Sequence, residues 1–166
     1  MYLSFLPAPP FPFNNATPSA CDTFTITGSL RISDSDIVSL APLRNLVNVG
    51  ESSGHSLIIV NNPNLQTLVG LAGLSGELLG SVVVDGNRVL SSLVGLEGIT
   101  GVGIDLAGNS VRVYSNPNVC LQNSDRDRLF EIGATGGGRI SVQTPAFPVD
   151  GGCLGCDASQ CGPAGD

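Results

Sequence analysis

A 25-residue repeat constrains the fold of this chain more than any other feature of its sequence. Residues 57–74 match residues 82–99 at seven positions when they are shifted by 25. The matches are an apolar pair spaced by one residue, an asparagine three residues later and four further apolar residues: Leu57, Ile59, Asn62, Leu65, Leu68, Leu71 and Leu74 against Val82, Val84, Asn87, Leu90, Leu93, Leu96 and Ile99. The chain is therefore built from repeated units.

The apolar pair that begins the unit occurs five times. Its first residues are Leu30, Leu57, Val82, Val111 and Ile140, at spacings of 27, 25, 29 and 29. Units of this length are typical of solenoids, in which each unit stacks on its neighbours. Apolar residues at every third position after the pair indicate an irregular or 3₁₀-like return rather than an α-helix. The sequence thus predicts a mainly β fold, a right-handed parallel β-solenoid of about five rungs, one rung per unit.

An asparagine follows three of the predicted strands, at Asn62, Asn87 and Asn116. A short amide at a turn can hydrogen-bond to the backbone of its own rung and of the next one. We therefore predict a structural role for these asparagines rather than a ligand-binding one.

One short capping helix is predicted in the fourth unit. Ser124 followed by Asp127 is the pattern of a helix N-cap, and Leu129 with Ile132 would form the buried side of that helix.

Charge and hydropathy argue against nucleic-acid binding and against membrane insertion. The net charge is −7 and only 13% of residues are charged, so the chain lacks the clustered basic residues that nucleic acids require. Its longest apolar runs, such as residues 57–60, are far shorter than the roughly 20 residues of a membrane-spanning helix. We expect neither nucleic-acid binding nor membrane insertion.

The first 20 residues form a distinct segment, rich in proline and phenylalanine. It has no basic residue and Pro7 interrupts its apolar run, so it does not match a secretory signal. We expect a leader or an extended segment with polyproline character. Its phenylalanines, Phe5, Phe11 and Phe13, could also cover an apolar surface elsewhere on the chain.

The end of the chain resembles a known family. Residues 116–120 (Asn-Pro-Asn-Val-Cys), a short helix, one more strand and then Cys153-x2-Cys156-x4-Cys161 resemble the end of the receptor L domain of insulin-receptor and epidermal-growth-factor-receptor ectodomains. The resemblance covers residues 21–161. It implies an L-domain-like solenoid over residues 21–153, the start of a furin-like Cys-rich segment over residues 154–166, and a disulfide between Cys120 and Cys153.

The sequence also departs from that family, since it has no tryptophan and leaves Cys21 without an obvious partner. Five cysteines is an odd number, so in an oxidising compartment one thiol is free or pairs outside this chain. A zinc site on Cys153, Cys156 and Cys161 lacks a clear fourth ligand. We predict no metal and no cofactor.

Catalytic groups are sparse. The single histidine, His55, lies at a unit boundary and is expected to be a solvated turn residue. Asp34 and Asp36 fall in a turn, where aspartate commonly binds the local backbone. We therefore predict that the chain is not an enzyme.

Alternation along the strands defines an outward face, which we predict to be the binding surface. It has two columns of residues: Arg31, Ile58, Val83, Arg112 and Ser141 in one, and Ser33, Val60, Asp85, Tyr114 and Gln143 in the other. An apolar centre, Ile58, Val60 and Val83, is surrounded by Arg31, Asp85, Arg112 and Tyr114, as is typical of protein-binding patches. Permanent cover by the N-terminal phenylalanines or by another domain is the alternative.

Three function classes follow from these observations. We favour a recognition module at the cell surface or outside the cell, which binds a protein or glycan partner or a neighbouring domain. The alternative is a structural or adhesive component of a wall, fibre or matrix. A polysaccharide-cleaving or ice-binding solenoid is third, because a long charged groove and regular threonine columns are both missing from the sequence.

Overall fold

The computed structural model describes residues 22–119, 121 and 123–142. This part of the chain is mainly β, with parallel sheets and one α-helix, so the coarse fold class is confirmed. The right-handed solenoid stays a prediction. The leader at 1–20, the Cys-rich segment at 154–166 and all five cysteines lie outside the described residues, and so does the predicted Cys120–Cys153 disulfide.

The described residues contain nine strands, two short 3₁₀ helices and one α-helix. The strands are β1 (Phe24–Ile26), β2 (Leu30–Ser33), β3 (Leu46–Val49), β4 (His55–Val60), β5 (Gly76–Leu78), β6 (Ser81–Asp85), β7 (Ile99–Val102), β8 (Asn109–Tyr114) and β9 (Arg139–Val142). The 3₁₀ helices span Ala41–Leu43 and Val69–Leu71, and the α-helix α1 spans Asn123–Ala134.

The strands form one large and two small parallel sheets. The large sheet has five strands in the order β2-β4-β6-β8-β9, and β1-β3 and β5-β7 form the two-stranded sheets. The first apolar residue of every predicted unit lies in one row across the large sheet: Leu30, Leu57, Val82, Val111 and Ile140. The sequence repeat therefore determines which residues pair across this sheet.

Aliphatic side chains from equivalent positions of the repeat fill a single core. The large sheet contributes the inward residues of its strands, and the segments after the strands contribute Leu65, Leu68, Leu71 and Leu74, all fully buried. Burying each leucine stabilises the fold by about 1.5–3 kcal/mol. Short 3₁₀ helices at Ala41–Leu43 and Val69–Leu71 account for the period of three in two units, and turns without a 3₁₀ helix carry the same period through Leu90, Leu93 and Leu96.

The three asparagines form a buried ladder along one edge of this core. Asn62 Nδ2 donates to the carbonyl of Val60 in its own unit and to that of Ile32 in the unit before, at 3.2 and 3.1 Å. The backbone N–H of Asn62 donates to Asn87 Oδ1 at 3.1 Å, and that of Asn87 donates to Asn116 Oδ1 at 3.0 Å. The predicted structural role of the ladder is confirmed.

A second column, immediately before the ladder, has left-handed backbone. Its members are Asp34, Asn61, Gly86 and Ser115, with φ of 54°, 57°, 69° and 55°. Each follows the last residue of a strand of the large sheet. This backbone turns the chain sharply enough to place the next residue, an asparagine in three units, against the core.

We expect Ser115→Gly to raise the free energy of unfolding by about 0.5–1 kcal/mol, because glycine adopts left-handed backbone without steric cost. Ser115 is exposed, so little packing is lost with its side chain. Ser115→Ala is the matched control, since it removes the same hydroxyl but keeps the Cβ atom. Urea denaturation of both variants measures the difference, and equal stabilities would contradict this explanation.

Helix α1 packs against β7, β8 and β9 with Leu129 and Ile132 buried, as predicted. The Arg128 guanidinium donates to the carbonyls of Glu97 and Ile99, the second at 2.9 Å. Thr135 Oγ1 accepts the backbone N–H of Val102 at 3.1 Å. The predicted N-cap was wrong, because α1 begins at Asn123 and Ser124 therefore lies in its first turn.

Candidate functional site

The outward face of the large sheet carries all seven residues that the sequence assigned to a binding surface. The register pairs Arg31 with Ile58, Ile58 with Val83 and Val83 with Arg112. In the second column it pairs Ser33 with Val60, Val60 with Asp85 and Asp85 with Tyr114. The two predicted columns therefore run side by side across four strands. Ser141 continues the first onto β9, and Gln143 lies outside the described residues.

The centre of the outward face is more buried than an accessible patch would be. Ile58 is 8% exposed and Val83 is 4% exposed. Neither belongs to the core cluster, which includes their strand neighbours Leu57, Ile59 and Val82 on the opposite face. Of the two alternatives that the sequence left open, burial at these two positions favours cover over Ile58 and Val83, whereas Val60 is half-buried and stays partly accessible.

The rim of the face is polar and partly accessible. Arg31 is exposed and its Nε donates to Ser33 Oγ at 3.3 Å. Asp85, Arg112 and Tyr114 are half-buried. The Nε atom of Arg112 is buried and has no hydrogen-bond partner among the described residues. The buried Nε atom is out of a partner's reach, so only the accessible parts of the half-buried Arg112 and Tyr114 side chains can hydrogen-bond to a partner at this rim.

Asp105 anchors the loop between β7 and β8 beside this rim, although it was not among the residues predicted from the sequence. Its Oδ1 accepts the backbone N–H groups of Ala107 and Asn109 at 2.8 and 2.9 Å, and the Asn109 side-chain amide at 3.0 Å. Its Oδ2 lies 3.8 Å from Arg112 Nη2. The four-residue spacing of Asp105 and Asn109 around Gly108 was the available signal, because aspartate often binds the backbone of a tight turn.

Two opposing effects set the pKa of Asp105. Burial is the larger single effect and would raise the pKa, because it disfavours the charged form. Hydrogen bonds from Asn109 and Ala107, followed by the charge of Arg112, outweigh burial in sum. The pKa of Asp105 therefore lies below its ordinary value, and the carboxylate is charged at neutral pH.

We expect Asp105→Asn to weaken the pH dependence of stability. A lowered pKa in the folded state stabilises the fold above the ordinary pKa, near about pH 4, and this contribution is lost as pH falls further through the folded-state value. The wild type should exceed the variant in free energy of unfolding at pH 7 and lose that advantage on acidification. Urea denaturation between neutral and acidic pH measures the difference.

Asp36→Asn is the matched control for this prediction, because Asp36 is exposed and the substitution changes the net charge by the same amount. A difference between wild type and Asp105→Asn that stays constant with pH would contradict the assigned role of the carboxylate.

The prediction for His55 was correct in part: its backbone closes the turn from Ser52, but its side chain is not a solvated turn residue. His55 is the first residue of β4, is half-buried, and its Nδ1 lies 2.7 Å from Ser81 Oγ. Ser81 is fully buried, so its hydroxyl cannot reach a substrate. The histidine–serine pair is therefore a contact between adjacent strands rather than a nucleophile with its base.

Other chemistry is limited in the described part of the chain. No three His, Cys, Asp or Glu residues there lie close enough to hold a metal ion. The cysteines of the zinc hypothesis, Cys153, Cys156 and Cys161, lie outside it. A shallow groove between residues 92–97 and α1 is lined mainly by aliphatic side chains. Within the described ranges, every helix is too short or too polar to span a bilayer.

No family model matches the chain, and no curated protein or solved structure gives a match either.

Proposed function

We propose that this chain is a non-catalytic recognition module of an extracellular or cell-surface protein, which binds a protein or glycan partner through the outward face of its large parallel sheet. The observation that carries the proposal is the alignment of arginine, aspartate and tyrosine around an aliphatic centre. Arginine and tyrosine are enriched at protein interfaces because each combines a large contact area with hydrogen-bond donors.

We also propose that the units stack as a right-handed parallel β-solenoid similar to the receptor L domain. Equivalent residues of successive units are hydrogen-bonded neighbours in the large sheet, and the asparagine ladder follows the same order. Each unit alone loses about 1.5 kcal/mol per residue in conformational entropy, which its few buried aliphatics cannot offset without neighbours. This cost supports stacking as the source of stability.

The extracellular assignment and the Cys120–Cys153 disulfide rest on the resemblance of the chain's end to that family. Peptide mass spectrometry without reduction, on protein purified from its source, tests both. We expect a linked peptide that contains Cys120 and Cys153. Five reduced thiols would contradict the extracellular assignment.

Binding to arrays of purified secreted proteins, cell-surface ectodomains and glycans tests the recognition role. Arg31→Glu and Tyr114→Ala should abolish binding to the protein or glycan that the wild type selects, because both residues lie on the outward face. Val94→Asp is the control, because Val94 is an exposed aliphatic away from that face. Binding that survives both rim substitutions would contradict the site. Recovery of the chain only from an insoluble assembly would favour a structural or adhesive role.

A further inference from the structure

The burial of Ile58 and Val83 indicates that other atoms cover these side chains on the outward face. The core cluster covers only one face of this sheet. At 8% and 4% exposure, both side chains are almost excluded from water although they point away from that core. Arg31 is exposed, and Arg112 and Val60 are half-buried, so the strongest burial on this face lies at Ile58 and Val83.

Residues 1–20 have the composition of a segment that covers such a surface. They include Phe5, Phe11 and Phe13 and no charged side chain, so packing them on an apolar centre buries no charge. Five prolines lack a backbone N–H and therefore reduce the number of donors that cover would leave unsatisfied. Phenylalanines at this density would otherwise leave an apolar surface in water, which soluble proteins rarely keep.

The segment is long enough to reach the centre of the face. Phe5 lies 17 residues before Asp22, a distance that extended chain spans at up to about 60 Å. Arg31 lies nine residues after Asp22, but its path includes β1 and a bend and is shorter than extended chain. Ile58 and Val83 lie one and two strands beyond Arg31, at about 4.8 Å per strand.

We infer that residues 1–20 of the same chain pack on the outward face, with phenylalanine rings against Ile58 and Val83. A partner that uses this face must then displace the segment or bind around it. The contact itself does not depend on the proposed recognition role; only its regulatory consequence rests on that role. The inference also assigns a function to a segment that is otherwise an apolar extension of the chain.

Methyl NMR of the full chain tests the contact directly. Samples carry ¹³C-labelled Ile and Val methyl groups and protonated phenylalanine rings, with all other aromatic rings deuterated so that Tyr114 contributes no signal. We expect nuclear Overhauser effects from phenylalanine ring protons to the methyls of Ile58 and Val83, together with upfield ring-current shifts. Their absence from the wild-type chain would overturn the inference.

The triple variant Phe5→Ser, Phe11→Ser, Phe13→Ser should remove these signals and leave the core methyls of Ile59 and Val84 unchanged. The double variant Phe24→Leu, Phe130→Leu is the matched control and should keep them, because both of its phenylalanines lie elsewhere in the structure. Signals that persist in the triple variant would assign the contact to another phenylalanine and overturn the inference.

A mixture of methyl-labelled chains with ring-labelled chains separates contact within a chain from contact between chains. Signals in the mixture would show that a second copy supplies the rings and would overturn the intramolecular contact. The array experiment tests the recognition role separately. If the chain binds no partner on the arrays, the NMR spectra still show whether the phenylalanine rings contact Ile58 and Val83.

Discussion

Replacing Asn87 with leucine is expected to lower the free energy of unfolding by about 3–5 kcal/mol. The two side chains are similar in size, so the loss comes from hydrogen bonds rather than from a cavity. Asn87 Nδ2 donates to the carbonyls of Ile59 and Asp85, each at 3.0 Å, and Asn87 Oδ1 accepts the backbone N–H of Asn62. Leucine leaves these three backbone groups, of which that of Asp85 is only partly buried, without that partner, at about 1–3 kcal/mol for each buried one that stays unsatisfied.

Urea denaturation of the purified variant measures this effect. Asn64→Leu is the matched control, because Asn64 is an exposed asparagine in the turn that follows the ladder residue Asn62. The control should change stability by no more than about 0.5 kcal/mol. A loss below about 1 kcal/mol for Asn87→Leu would mean that water or local rearrangement satisfies the backbone groups.

The ladder also predicts that its members act together. Asn87 Nδ2 donates to Asn116 Oδ1 at 3.1 Å, in addition to its bonds to the backbone. Substituting both asparagines with leucine should therefore destabilise the protein by less than the sum of the single effects, because the first substitution already breaks the shared bonds. Additive effects in this double-mutant cycle would contradict a coupled ladder.

Positions that repeat in the sequence were predictable, and the large sheet shows why. The apolar pair identified the leading residues Leu30, Leu57 and Val82. In a hydrogen-bonded parallel sheet, residues at equivalent positions of the repeat become neighbours on adjacent strands. The ladder followed from the same rule, because a buried turn amide has few partners other than the backbone around it.

Features that occur once were harder to predict. The Asp105 loop belongs to one unit only, and its partner Arg112 was assigned to the binding surface from its outward position alone. His55 was placed in a turn because glycine precedes it, yet β4 begins at that residue and pairs it with Ser81. Strand ends depend on hydrogen bonds to the next unit, which periodicity within one unit does not reveal.

The outward face shows a second limit. Alternation placed Ile58 and Val83 away from the core correctly, because successive side chains of a strand point to opposite faces. Alternation does not determine what lies on the second face. Burial at those two positions was therefore information that only the structure could supply.

Gly95→Ala is expected to lower the free energy of unfolding by about 2–6 kcal/mol, from backbone strain and overpacking together. Gly95 has φ of 117°, which alanine rarely adopts, and a Cβ atom built there would overlap the carbonyl of Leu68. That carbonyl belongs to the preceding unit, so the absence of a side chain at Gly95 sets how closely two neighbouring units approach.

Three other glycines separate the two causes. Gly70→Ala adds only the overlap, because its Cβ would meet the carbonyl of Leu40 at an ordinary φ. Gly76→Ala adds only the strain, because its φ is 84° and nothing lies within 4 Å of the added atom. Gly28→Ala adds neither overlap nor strain. It should be neutral or raise the free energy of unfolding by about 0.4–1 kcal/mol, because alanine lowers the conformational entropy of the unfolded chain.

Urea denaturation of the four alanine variants should therefore show the largest loss for Gly95, intermediate losses for Gly70 and Gly76, and none for Gly28. If Gly70→Ala is as stable as the wild type, then neighbouring units can separate at little cost and close approach does not hold them. If only the variants with positive φ are destabilised, then these glycines serve the turn within a unit. The predicted order requires both contributions, as expected for units that fold only against each other.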